Sequence, residues 1–315
     1  MRICSFLPST TEILYELGLG DSVTGVTHEC DYPPKARDKK RVIMSFIDPE
    51  KLSSREIDEL VSRNAAEGKS TYLIDKDALK EAAPDLILTQ ELCDVCAVSG
   101  NEVIEAVEVL GRKPEIISLE PGTLSEILDT ISIIGDVTGT NDIAREITEK
   151  LRLRIEKIRS LLANERDRPR VFCMEWLDPP YVAGHWIPEM VEIAGGGCGI
   201  GKAGEPSFKV TWKEIADYAP QMLFIMPCGY DMEKTLGEID TLMKHDEWFS
   251  LPSTGKGQIY IFDANSYFSR PGPRVVDGLE ILAKTIHPEL MKSYEPPPDA
   301  VLNLRNYMQF ELFLG

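Results

Sequence analysis

Residues 141–163 carry one apolar stripe at helical spacing, and this stripe constrains the rest of the chain. Ile143, Ile147, Leu151, Ile158 and Leu162 share a face, and charged side chains fill the remainder. Asn141 and Asp142 can cap its start, and the polar, proline-bearing stretch 164–169 ends it. The pattern predicts one helix of about 23 residues, roughly 35 Å long. The segments before and after it then form separate bodies.

Both segments alternate between strand and helix. In the first half, apolar runs at 3–7, 23–26, 86–88 and 116–119 read as strands. Helical stretches at 53–67, 75–83, 102–110 and 124–138 punctuate them, and Ser9-Thr10-Thr11-Glu12 reads as a capping box opening a helix. In the second half, strands are expected at 171–176, 222–226 and 259–262, with helices at 188–194, 212–218, 233–244 and 274–286. Ala83-Pro84-Asp85-Leu86-Ile87-Leu88 is echoed by Ala219-Pro220-Gln221-Met222-Leu223-Phe224. This predicts an α/β fold of two Rossmann-like lobes with mostly parallel sheets, bridged by one long α-helix. The expected division is 1–139, 140–166, 167–290 and a C-terminal tail, 291–315, without an assigned role.

The 315 residues are 43% hydrophobic and 27% charged, a globular balance, and the net charge is −18. Such a surface repels a phosphate backbone, so nucleic acid is not an expected partner. No apolar stretch of about 18 residues occurs, so a membrane-spanning chain is not expected either. The N-terminus runs directly into a strand with no leader pattern and reads as cytoplasmic as written, or extracytoplasmic if a leader was trimmed. Seven cysteines, an odd number, fit a reducing compartment.

In open α/β sheets ligands sit beyond the carboxyl ends of the strands. The loops expected there are rich in aromatic residues, which points to a large, flat, apolar ligand; the alternative is that the rings pin the loops. Cys93-Asp94-Val95-Cys96 is half of a metal site or a redox pair, and Cys30 with either His28 or Cys228 could complete a zinc or iron site. His185, between Gly184 and Trp186, is placed either to ligate a chelated metal or to donate a hydrogen bond. No nucleophile elbow or phosphate loop is present; Gly195–Gly199 follows a helix instead.

The chain resembles the class III substrate-binding proteins of cobalamin and iron–siderophore transporters, closest to the cobalamin-binding branch without signal peptide. The likeness rests on Leu7-Pro8-Ser9-Thr10-Thr11-Glu12, on the run from Gly25 through His28, Cys30 and Tyr32 to Pro34, and on Ala83-Pro84-Asp85-Leu86-Ile87. It continues in Trp176-Leu177-Asp178-Pro179-Pro180-Tyr181 and Tyr267-Phe268-Ser269-Arg270-Pro271-Gly272-Pro273-Arg274. The resemblance implies a binder of a corrinoid or another metal chelate in a cleft between two lobes, not an enzyme. By motif position the ligand residues are Ser9, Tyr32, Phe46, Trp176, Tyr181, Tyr267, Phe268 and Arg270, with His185 and Trp186 added from the loop itself. Docking on an ABC transporter permease would use Glu102 and Glu233. The chain departs from the family by an extra stretch at 53–74 and by Thr89-Gln90-Glu91-Leu92-Cys93 where a tryptophan is common. Two other readings stand: an iron–siderophore or haem binder, and a chelatase-like enzyme using His185 and Glu175 or a Cys93/Cys96 redox module.

Overall fold

The structure is a computed structural model and describes residues 1–90, 106 and 108–314. The residues group into two compact units. One comprises Met1–Leu52, Glu56–Pro121 and Ser125–Lys150, and the other Ser53–Arg55, Gly122–Leu124 and Leu151–Gly315.

Up to the long helix the order is β1 (Ile3–Ser5), α1 (Pro8–Glu16), β2 (Val23–Thr27), β3 (Arg41–Ser45), α2 (Ser54–Ala66), β4 (Tyr72–Ile74), α3 (Lys76–Ala82), β5 (Leu86–Thr89), β6 (Glu115–Ser118) and α4 (Leu124–Thr138), all in the first unit except Ser54, Arg55 and Leu124 at the starts of α2 and α4, which belong to the second. The sheet runs β4-β3-β2-β1-β5-β6, all neighbours parallel except β4 against β3. Every residue of β1 and β5 is buried, as expected of central parallel strands covered on both faces. Helix α1 begins at Pro8, so Leu7 is its N-cap and makes no side-chain cap bond. The Ser9 capping box is therefore not formed. Proline, with φ preset for a helix and no N–H to satisfy, takes the first position and moves Ser9 inside the helix.

The amphipathic stripe forms α5 (Asn141–Leu162), a 22-residue helix. Its residues to Lys150 are counted with the first unit and those from Leu151 with the second.

The second unit contains β7 (Val171–Trp176), β8 (Tyr181–Val182), α6 (Ile187–Ile193), β9 (Phe208–Lys209), α7 (Trp212–Tyr218), β10 (Met222–Ile225), α8 (Met232–Leu242), α9 (Asp246–Ser250) and α10 (Pro252–Lys256). It closes with β11 (Ile259–Phe262), α11 (Ala264–Tyr267), α12 (Val275–Ile286), β12 (Val301–Asn303) and α13 (Leu304–Leu314). Its sheet runs β12-β11-β10-β7-β8-β9. The central β11, β10 and β7 are parallel, and β12, β8 and β9 extend the edges antiparallel. The C-terminal tail thus acquires a place: Val301–Asn303 pairs with Phe262–Tyr260 and covers an edge that would otherwise be open. Helix α7 has a full capping box, Thr211 with Glu214.

The sequence echo is a structural repeat. Ala83 and Ala219 end α3 and α7 in the left-handed region, at φ 40° and 51°. The next strand then enters identically in each unit. Asp85 N and Leu86 N donate to Arg2 O at 2.8 and 3.2 Å; Gln221 N and Met222 N donate to Arg170 O at 2.8 and 3.1 Å. The two arginines also match, Arg2 donating to Ala82 O and Glu81 O and Arg170 to Tyr218 O and Ala219 O. Each caps the carbonyl end of the helix before the strand. Among the described residues no helix is long and apolar enough to cross a membrane.

Candidate functional site

Each parallel sheet presents a rim where its strands end, and the two rims differ in chemistry. In the first unit, β1 ends at Ser5, whose hydroxyl lies 2.5 Å from Thr10 Oγ1 and accepts from Thr11 Oγ1 at 2.8 Å. Thr11 Oγ1 also lies 3.1 Å from Cys30 Sγ, and Thr27 Oγ1 lies 3.3 Å from the same sulfur. The Cys30 thiol is therefore packed among hydroxyls beneath the rim, fully buried. His28 Nδ1 is buried and makes no hydrogen bond, while Nε2 lies 3.9 Å from Glu29 Oε1. Among the described residues no three His, Cys, Asp or Glu side chains converge as a metal site. Cys93, Cys96 and Glu102 lie outside the described residues.

Ser9 is buried and Tyr32 and Phe46 stand exposed, at 42% and 45%. Phe46 continues the β3–β4 ladder, its N–H donating to Thr71 O at 3.3 Å, so backbone pairing fixes the ring at the strand end.

In the second unit β7 ends in Glu175 and Trp176, both half-buried. The Trp176 indole meets Tyr230 edge-on, with centroids 5.2 Å apart, and its Nε1 donates to Ser54 O at 3.0 Å. Tyr181 in β8 stands opposite Trp176, with Lys209 Nζ 5.5 Å from its ring centre. Because β8 is antiparallel, Val182 pairs with Met174 and Ala183 N donates to Cys173 O. The chain thus retreats along β7 before it reaches His185. The strands expected from the sequence do not include β8, because a two-residue strand leaves no alternation to read.

His185 has φ 51° and is tied on both backbone sides, its N–H donating to Glu205 O at 2.6 Å and its carbonyl accepting from Gly204 N at 2.9 Å. Gly184 lies close against backbone: a Cβ there would sit 2.4 Å from Glu205 O and 2.5 Å from Ser207 N. Burial pushes the His185 pKa down, which favours the neutral imidazole. The ring lies 5.8 Å from Trp186. Glu175 accepts from Ser207 Oγ at 2.5 Å and from Gly184 N at 3.3 Å; burial raises its pKa more than these bonds lower it.

Trp186 and Phe268, expected at the ligand, are packed inside the unit. Trp186 is 7% exposed and its Nε1 donates to Phe268 O at 2.9 Å. Phe268 is 3% exposed, its ring 5.3 Å from Phe262. Arg270 is also buried and donates to Asn265 Oδ1 at 2.9 Å. Tyr267 remains half-buried, with the Arg274 guanidinium 5.9 Å from its ring centre. Glu233 is exposed in the first turn of α8, where negative charge suits the helix dipole. Sequence reasoning passed over Tyr230 and Ser207. Tyr230 lies between the end of β10 and the Asp231 cap of α8, and that position was its signal.

The sequence profile described as periplasmic binding protein matches residues 3–266. An uncharacterized ABC transporter substrate-binding lipoprotein, YvrC of Bacillus subtilis (strain 168), is 25% identical over 296 residues, covering 92% of this chain and 81% of that protein. A vitamin B12-binding protein of Vibrio cholerae is 22% identical over 286 residues, covering 89% of this chain and 86% of that protein. A periplasmic haem-binding protein from Pseudomonas aeruginosa superposes with a TM-score of 0.69 at 17% identity, covering 94% of this chain and 95% of that one. The matched profile spans most of both units, and the chain belongs to the periplasmic binding protein family, in its class III fold.

Proposed function

We propose that this protein captures a large metal chelate, first a corrinoid such as cobalamin, and that it does so without turnover. The observation that carries the reading is the set of aromatic rings at the strand ends: Tyr32 and Phe46 exposed in the first unit, and Trp176, Tyr181 and Tyr267 half-buried in the second. Exposed rings at the ends of parallel strands suit the flat apolar flanks of a macrocycle, whose burial stabilises a complex by about 25 cal/mol per Å² before association costs. The vitamin B12-binding relative supports placing the corrinoid first. The structural likeness to a haem-binding protein keeps haem, and beside it a ferric siderophore, as the second reading. An ABC transporter permease is the proposed partner, with Glu233 and Glu102 as the acidic docking pair.

Titration with hydroxocobalamin, haemin and a ferric hydroxamate, read by absorbance and by heat, tests this. Saturable one-to-one binding, tightest for hydroxocobalamin, is expected. Preference for haemin or the hydroxamate reassigns the ligand, and binding of none of the three removes the chelate reading.

A further inference from the structure

Ser54 is 1% exposed and is held at both ends of its backbone within the second unit. Its N–H donates to Glu238 Oε2 at 2.8 Å and its carbonyl accepts from Trp176 Nε1 at 3.0 Å. The next residue, Arg55, forks onto Asp178 with two bonds of 2.9 and 2.8 Å. The other oxygen of Glu238 accepts from Tyr230 OH at 3.1 Å and lies 3.3 Å from Lys234 Nζ. Tyr230, 3% exposed, sets the edge contact with the Trp176 ring. The Trp176 indole is thus fixed twice. Its one polar atom is tied to Ser54, and its ring rests on a tyrosine that Glu238 anchors. Rotation about either side-chain torsion would break one of these contacts. Burial opposes the Glu238 charge, but the bonds from Ser54, Tyr230 and Lys234 outweigh it and lower the pKa.

We propose that Ser54, Arg55 and Glu238 are positioning residues for Trp176, a bracket that holds this ring in the orientation that meets the ligand. The proposal rests on the chelate reading above and deepens it. Two of the bracket's members, Ser54 and Arg55, lie at the start of the 53–74 stretch that the family resemblance marks as extra. The bracket therefore assigns that stretch a role in shaping the ligand surface. Fixing the ring beforehand spares the ordering cost that a mobile aromatic pays on binding.

The test uses the full chain labelled with 5-fluorotryptophan, Trp176 being assigned among the four tryptophans by W176F. Arg55 has a side chain 61% exposed, so R55A leaves the core untouched. In R55A the Trp176 fluorine resonance is expected to shift or broaden without ligand, and hydroxocobalamin affinity to fall about two- to fivefold. R55K, which keeps the charge and loses the fork, should fall between R55A and the unaltered protein. In E238A the loss should reach about tenfold. An unmoved resonance in both variants overturns the proposal, and so does a moved resonance with equal or tighter binding. If the unaltered protein binds no chelate, the chelate reading falls and the positioning role falls with it. Binding by the unaltered protein that R55A and E238A match sinks the positioning role alone.

Discussion

Trp186 separates a packing role from a ligand-binding one, and the outcome can be worked from its surroundings. The ring is 7% exposed, and its indole N–H is the donor to Phe268 O, 2.9 Å away. In W186F most of the apolar contact survives, but a buried carbonyl loses its partner, at a cost of about 2 kcal/mol. For a unit of this size that lowers the melting temperature by roughly 4–8 °C. W186A adds a cavity and should cost about 3–5 kcal/mol. Urea denaturation followed by far-UV circular dichroism measures both, with an unchanged slope confirming that the same surface unfolds. Because the ring faces inward, W186F should bind hydroxocobalamin as the unaltered protein does. A stability change below about 0.3 kcal/mol together with a tenfold loss of affinity would refute this reasoning and return Trp186 to the ligand.

Phe46→Ala and Tyr32→Ala remove exposed rings; stability should change by less than about 0.5 kcal/mol while chelate affinity falls roughly 5- to 30-fold, read by calorimetric titration. Glu175 has a pKa raised from 4.5, chiefly by burial, so its contribution is full below pH 4.5 and declines as pH rises through the folded value. Glu175→Gln has no such decline, and its melting temperature relative to the unaltered protein should climb as pH increases from 4.5; a constant difference would contradict the assignment. Gly25→Ala would place a Cβ 2.6 Å from Cys4 Sγ and 2.8 Å from Val42 Cγ1, and should cost about 1–3 kcal/mol in urea denaturation.

The parts of the fold legible in the sequence are those set by periodicity and by backbone chemistry. The α5 helix needed only residue spacing, although its buried face runs through Ala144, Leu151, Ile155, Ile158 and Leu162 and leaves Ile143 exposed. The Ala-Pro echo marked two places where a helix stops in a left-handed cap and a strand begins, because proline excludes the helical region for the residue before it. What stayed hidden depends on partners distant in sequence. Nothing local tells that Trp186 and Phe268 turn inward while Phe46 turns outward, since an aromatic in a loop has no alternation to betray its face. Nothing local reveals that Ser54 pairs with Trp176 and Glu238. The β12 tail was unreadable for the same reason, because three residues become a strand only when β11 offers an edge.

The repeat also indicates where ligand specificity resides. Arg2 and Arg170 perform the same task in each unit, as do Ala83 and Ala219, so this frame carries no information about a ligand. Among the described residues the rims share none of that likeness. One holds hydroxyls and a buried thiol at Ser5, Thr10, Thr11, Thr27 and Cys30, closed into its own hydrogen bonds, with Tyr32 and Phe46 presenting apolar surface. The other holds an aromatic pair, Trp176 and Tyr230, braced by carboxylates at Asp178 and Glu238. Discrimination between a corrinoid, a haem and a siderophore must therefore come from residues outside the repeated frame. Exchanging frame residues such as Arg2 or Arg170 should alter stability and leave the order of chelate preference unchanged, whereas changes at Phe46 or Trp176 should alter that order.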